Sequence, residues 1–255
     1  MTMRPGRTAA LLFAVAALMA SCTYLPLDAG LASGVAVAES REAIIMTPAA
    51  GPPPTVGLIF YPGAFVDPHA YVSELSAVTA AGIPVVIAKL AGNLAVLSID
   101  AGLALRGSVP GVTRWVIGGH SLGGAMAAWS VSNNPDAYIG LVLLAAYPGT
   151  SASLASWAHP VLSLSASNDG LATPQKVTDA APLLPTPQAS VADTVALAAL
   201  SAGTLTVFHQ IPGGNHAQFG SYGAQDGDQA ATISPAAQHA EVADFVTAFF
   251  SRNGW

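Results

Sequence analysis

Ser121, Asp169 and His216 are the residues whose types, order and surroundings fit them to do chemistry together. Ser121 stands in Gly119-His120-Ser121-Leu122-Gly123, after the apolar run that starts at Arg114 and before small residues that tolerate a helix. The layout predicts a strand, a sharp turn and a helix. The serine sits in the turn, where nearly side-chain-free neighbours let strand and helix approach. In a chain with 25 glycines the pattern alone is weak. A serine hydroxyl is a poor nucleophile at neutral pH and needs a base to take its proton and a carboxylate to orient that base. Both follow in order. Asp169 lies in Ser167-Asn168-Asp169-Gly170, directly after the apolar run 161–165, and His216 lies in Pro212-Gly213-Gly214-Asn215-His216, directly after 204–211. The other acids fit less well: Asp67 reads as a helix cap, and Asp179 and Asp244 fall in helical stretches. His69, His120 and His159 precede Asp169, His209 lies inside a strand, and His239 reads as a solvated helix residue.

Attack on a carbonyl also needs donors for the tetrahedral oxyanion. The backbone N–H of Leu122 is one. The second is expected from Gly63-Ala64-Phe65, with Ala64 favoured and Gly63 and Phe65 left open. Phe65, Tyr147 and Phe219 are candidates to line an acyl pocket, with burial in the core as the alternative. His120 is expected to pack under the turn. Asp226 and Asp228 sit in an acidic loop that lacks the terminal bidentate glutamate of a calcium site, so neither metal nor cofactor is expected.

These residues need a scaffold that delivers them to one end. Ala43–Met46, Val56–Tyr61, Pro84–Ala88, Arg114–His120, Ile139–Ala145, Val161–Ser165 and Thr204–Ile211 read as strands, several of them apolar without alternation, as in a parallel sheet covered on both faces. Between them, helices are expected after Asp67, over Leu94–Leu105 and Leu122–Ser132, and from Pro235, capped by Ser234, to Phe250. Strands alternating with helices imply a three-layer α/β sandwich with a mainly parallel sheet. Only Tyr147–His159 lies between two of the strands near the site, too little for a large cap, so the site is expected to be open.

The N-terminus is of another kind. Arg4 and Arg7 precede an uncharged run, 8–20, too short to span a bilayer, which gives residues 1–21 the layout of a secretory signal. The chain's only cysteine, Cys22, follows at once, and Met19-Ala20-Ser21-Cys22 resembles a bacterial lipobox. Lipidation of Cys22 is therefore expected, with 22–40 as a flexible tether rich in Ala, Gly and Ser and 41–255 as one domain. The location expected is extracytoplasmic, at the membrane through this anchor. After signal removal six basic residues face fourteen acidic ones, which offers nucleic acid no basic patch. With 52% hydrophobic residues, the chain is long enough to bury a sizeable core.

The phrases Tyr61-Pro62-Gly63-Ala64-Phe65-Val66-Asp67-Pro68, Gly118-Gly119-His120-Ser121-Leu122-Gly123-Gly124 and Gly214-Asn215-His216-Ala217-Gln218-Phe219-Gly220 resemble the α/β-hydrolase fold superfamily, in a dienelactone-hydrolase-like or esterase-like branch. The resemblance runs from about residue 41 to the end. It implies a serine hydrolase with Ser121, Asp169 and His216 as its triad; the small loop region, not the resemblance, points to short or accessible small-molecule acyl substrates, carboxylic esters first. Acyl transfer, thioester or lactone hydrolysis and a non-catalytic surface binder are the alternatives. Ala64 departs from the family pattern, which has a second glycine there. The oligomeric state is left open.

Overall fold

The computed structural model describes residues 23–27 and 30–255; the expected signal segment 1–21 and Cys22 lie outside them. Nine strands form one sheet: β1 (Val35–Glu39), β2 (Ala43–Pro48), β3 (Val56–Tyr61), β4 (Val85–Ala88), β5 (Arg114–His120), β6 (Gly140–Leu144), β7 (Val161–Ala166), β8 (Gln188–Ser190) and β9 (Thr206–Ile211). Their spatial order is β1-β2-β4-β3-β5-β6-β7-β9-β8. The pairs β1–β2 and β2–β4 are antiparallel, and all the others are parallel. Among the described residues six α-helices accompany the sheet: α1 (Val72–Ala80), α2 (Ala101–Leu105), α3 (Leu122–Asn133), α4 (Pro174–Asp179), α5 (Thr194–Ala199) and α6 (Pro235–Arg252).

The absence of hydrophobic alternation in β3 has a direct cause: every residue of it is buried. Leu58 and Phe60 join a core with Leu75 and Val78 of α1 and Phe245 and Phe249 of α6. Ile59 and Tyr61 face the other way, into a second core with Met126, Ala127 and Val131 of α3. Helix α6 starts as its sequence indicates, with Ser234 Oγ accepting from the Ala237 N–H and Pro235 in the first turn. Between β6 and β7 the chain makes only a short 3-10 turn, Thr150–Ala152.

Two expectations are corrected. The stretch Leu94–Leu105 is not one helix: a 3-10 turn, Ala95–Leu97, is separated from α2 by Ser98, with φ −153° and ψ 51°. Tertiary bonds draw the chain away from a continuous helix. Asp100 accepts from Ser130 Oγ and Asn134 Nδ2, and the Gly102 N–H donates to Tyr61 Oη at 2.6 Å. Nor is all of 22–40 a loose tether. β1 pairs with β2 from Val35↔Pro48 to Glu39↔Ile44, and Glu39 ion-pairs with Lys89. Ahead of it, the Tyr24 N–H donates to Phe65 O at 2.7 Å, the Asp67 N–H donates to Tyr24 O at 2.9 Å, and the Leu27 N–H donates to Ser221 O at 2.7 Å. Backbone pairing orders this segment together with Tyr24 and Val35, which pack against the core. α4, α5 and β8 are additional to the expected elements.

Candidate active site

β5 delivers Ser121 to the carboxyl end of the sheet. Its backbone sits at φ 52°, ψ −125°, a conformation costly for any residue with a Cβ, before α3 begins at Leu122. The neighbouring glycines make the turn sterically feasible. A Cβ on Gly123 would run into the carbonyl oxygens of Tyr61 and Pro62, and one on Gly119 would lie 2.7 Å from Gly124 N. Four residues other than glycine have positive φ among those described: Phe65, Asn93, Ser121 and Ala145. They gather here. Ser121 and Ala145 line one cleft, and Phe65 donates its N–H to Asn93 O at 2.8 Å in the loop beside it.

That cleft, of about 270 Å³, is lined by Ser121, Leu122, Ala125, Ala145, Ala146, Tyr147, Leu171, Ala172 and His216. Larger hollows of about 560 and 630 Å³ lie elsewhere, but neither contains a nucleophile paired with a base. His216 and Asp169 come from the loops after β9 and β7. His216 Nδ1 lies 2.8 Å from Asp169 Oδ2, and both residues are 1% exposed. The other carboxylate oxygen, Oδ1, accepts from the N–H groups of Leu171 and Ala172 at 2.8 and 2.7 Å. With its acceptors so occupied, the carboxylate orients the ring, and Nδ1–H toward Asp169 leaves Nε2 as the bare nitrogen. Nε2 is buried and without a hydrogen-bond partner among the described residues.

The two loops are laced together by groups the sequence does not mark. Asp228 Oδ1 accepts from the Gly170 N–H at 3.0 Å, and its Oδ2 accepts from the Ala217 N–H at 2.8 Å. A carboxylate weighed above for calcium thus ties the residue after Asp169 to the residue after His216. The buried Gln238 of α6 accepts from the Asn215 N–H at 3.0 Å and donates to Asn215 O at 2.9 Å. Only the acidic loop itself hinted at Asp228, because its partners are backbone amides.

In the loop after β3, the Gly63 N–H donates to Tyr71 Oη at 2.9 Å and the Phe65 N–H donates to Asn93 O. Neither the Ala64 N–H nor the Leu122 N–H donates to any group among the described residues. Tyr147 lines the cleft, whereas Phe219 is fully buried and belongs to the core. His120 packs under the turn as expected, 4.6 Å from the His216 ring. His209 is buried, stacked 3.9 Å from Phe245, with Nε2 2.6 Å from Glu241 Oε1. His239 is not a solvated residue: it is half-buried, and burial lowers its pKa. Among the described residues no helix is long and apolar enough to cross a membrane.

The sequence profile described as "Alpha/beta hydrolase family" matches residues 57–240. No curated relative matches the chain at the sequence level. Among solved structures, Est1E from Butyrivibrio proteoclasticus superposes with a TM-score of 0.56 at 12% identity, over 87% of this chain and 99% of that one. LAE6, an alpha/beta hydrolase enzyme from the metagenome of Lake Arreo, Spain, gives 0.57 at 16% identity, over 93% and 88%. Thermogutta terrifontis esterase 2 phosphoramylated by tabun gives 0.56 at 15% identity, over 87% and 96%.

Proposed function

Because this chain belongs to the alpha/beta hydrolase family, we propose that it hydrolyses carboxylic esters through an acyl-enzyme at Ser121. The observation that carries the reading is the buried Asp169–His216 pair, 2.8 Å apart, with His216 lining the cleft that also holds Ser121. His216 Nε2 takes the Ser121 proton as Oγ attacks the ester carbonyl, and returns it to the departing alcohol as the acyl bond breaks. Water, deprotonated by the same nitrogen, then cleaves the acyl-enzyme, releasing the acid and restoring the hydroxyl. Asp169 stabilises the imidazolium formed in both steps.

The carbonyl oxygen turns anionic in each tetrahedral intermediate and receives the N–H groups of Leu122 and Ala64. Ala64 is chosen by elimination, since the amides on either side of it are already spent. The cleft walls, Leu122, Ala125, Ala146, Tyr147 and Leu171, are apolar and the space is about 270 Å³, which suits a short acyl chain on a small-molecule ester.

A fluorophosphonate probe tests the reading: wild type should be labelled and Ser121→Ala should not. Equal labelling of the two, or none of wild type, would overturn it. Among the structural neighbours, the Thermogutta esterase 2 is itself phosphoramylated by tabun, the kind of adduct this probe seeks. A series of p-nitrophenyl esters from acetate to dodecanoate should peak at short chains.

The signal segment and Cys22 carry a second part of the reading, an extracytoplasmic enzyme held to the membrane by a lipid on Cys22. Two residues later, Tyr24 is bonded to the oxyanion loop, and two residues span at most about 7 Å of chain. The anchor would therefore hold the mouth of the cleft near the lipid surface. Cys22→Ala should release the protein from the membrane fraction; retention there would sink the anchor.

A further inference from the structure

Tyr71 and His120 form a buried hydrogen-bonded pair that reaches three parts of the site at once, and the mechanism above uses neither. Their exposures are 0% and 1%. The Gly63 N–H donates to Tyr71 Oη, and the same oxygen lies 2.8 Å from His120 Nδ1, so one hydroxyl joins the loop after β3 to the ring before Ser121. Its Nε2 is buried without a hydrogen-bond partner among the described residues. Burial pushes the His120 pKa well below the usual histidine range, so the ring stays neutral. Space is equally tight. A Cβ on Gly63 would lie 2.9 Å from His120 Nδ1 and 3.1 Å from Tyr71 Oη, and Phe219 and Tyr222 pack on the ring at centroid distances of 5.8 and 6.3 Å.

We propose that Tyr71 and His120 are positioning residues that lock the oxyanion loop to the base loop through the nucleophile's own strand. By taking the Gly63 N–H, Tyr71 fixes the Pro62–Gly63 peptide, one unit before the peptide that carries the Ala64 N–H, and leaves the Ala64 amide as the one free for the oxyanion. His120, directly before Ser121, braces the ring of His216, 4.6 Å away. The clamp acts where charge develops, so it matters more to the transition state than to the bound ester. The inference rests on the ester-hydrolase reading.

The test compares wild type with Tyr71→Phe, His120→Asn and His120→Gln, using a p-nitrophenyl ester, a trifluoromethyl ketone that forms a tetrahedral adduct, and a non-reactive substrate-shaped amide. Tyr71→Phe is expected to lower kcat about tenfold with KM within about twofold. It should weaken the ketone by the same factor as kcat/KM and leave amide affinity unmoved. Asparagine at 120 sets its carbonyl oxygen near the place of Nδ1 and keeps the Tyr71 bond; glutamine moves the polar atoms toward Nε2 and loses it. His120→Asn should therefore bind the ketone about fivefold more tightly than His120→Gln. A Tyr71→Phe kcat within about twofold of wild type, or equal loss of ketone and amide affinity, overturns the clamp. Should that variant fail to fold, equal ketone binding by the two position-120 variants overturns it instead. Fluorophosphonate labelling of wild type is read separately. Its absence defeats the ester-hydrolase reading and the clamp with it, whereas intact labelling with no kinetic split defeats the clamp alone.

Discussion

The two halves of the site are held by opposite means. On the nucleophile side, β5, Ser121 and α3 are fixed by missing side chains: Gly119 and Gly123 let backbone lie on backbone, and positive φ at Ser121 and Ala145 bends the chain around that contact. On the acid–base side, Asp169, His216, Asp228, Asn215 and Gln238 are fixed by side chains that bond to backbone amides and carbonyls. A close-packed backbone has nowhere to move, so the first half should fail abruptly when crowded. A polar network has several members, so the second should lose its members by degrees, each at its own cost.

Gly123→Ala is the sharpest break available. Its methyl meets the carbonyl oxygens of Tyr61, at the end of β3, and of Pro62, just after it, so stability should fall by about 4 kcal/mol or more, seen as a drop of about 10 °C or more in a circular dichroism melt. A shift of only a degree or two would show that the nucleophile side has room after all. Asp169→Asn probes the other half at its centre. The fold should survive, and kcat should fall about 10⁴-fold because the amide favours the wrong histidine tautomer; a loss under about tenfold would remove Asp169 from the triad.

Asp228→Asn should act more mildly. One carboxylate oxygen becomes an NH₂ facing an N–H, which at these partly buried bonds costs about 1 kcal/mol. Activity should fall about tenfold through kcat, with KM nearly constant, as the loops of Asp169 and His216 lose their tie. Urea titration and steady-state rates measure the two effects separately, and a change in KM alone would place Asp228 outside this role.

The smallest effect on activity is expected at Glu74 of α1, three residues after Tyr71. Its carboxyl is 2% exposed, and neither oxygen has a hydrogen-bond partner among the described residues. Burial raises its pKa well above the usual 4.5. The native state therefore keeps a proton that the unfolded chain releases. The associated stability is full below the unfolded value and is lost as pH rises toward the raised one, by at most about 1.4 kcal/mol per pH unit. Glu74→Gln should flatten that slope, gaining on wild type from pH 5 to pH 8 in thermal melts. Parallel curves for the two proteins would refute the buried, protonated acid.

This contrast also explains what was legible in the sequence. Ser121, Asp169 and His216 were readable because each follows a strongly apolar strand, and strand ends in such a sheet converge on one side. Residues Val56–Tyr61 and Arg114–His120 match the strands they predict because burial on both faces leaves a plain signature. Asp228 was visible as a charge but not as a tie, since its partners, Gly170 N–H and Ala217 N–H, are carried by every residue and marked by none. The choice among Gly63, Ala64 and Phe65 was closed in sequence for the same reason: it turns on which amides are spent on Tyr71 and Asn93. β1 escaped notice because its residues are mostly exposed and show no burial rhythm. Leu94–Leu105 misled because its apolar spacing suits a helix, while Asp100 and Gly102 are drawn to partners far along the chain.

The bond between Tyr24 and the loop of Phe65 bears on how this gene should be trimmed. A protein begun at residue 41, where strands first read clearly, would discard the sheet's edge strand and leave Phe65 O and Asp67 N–H without their partner across the strap. A version begun at Thr23 keeps both, because the segment that resembles a leash is part of the frame around the cleft of Ser121.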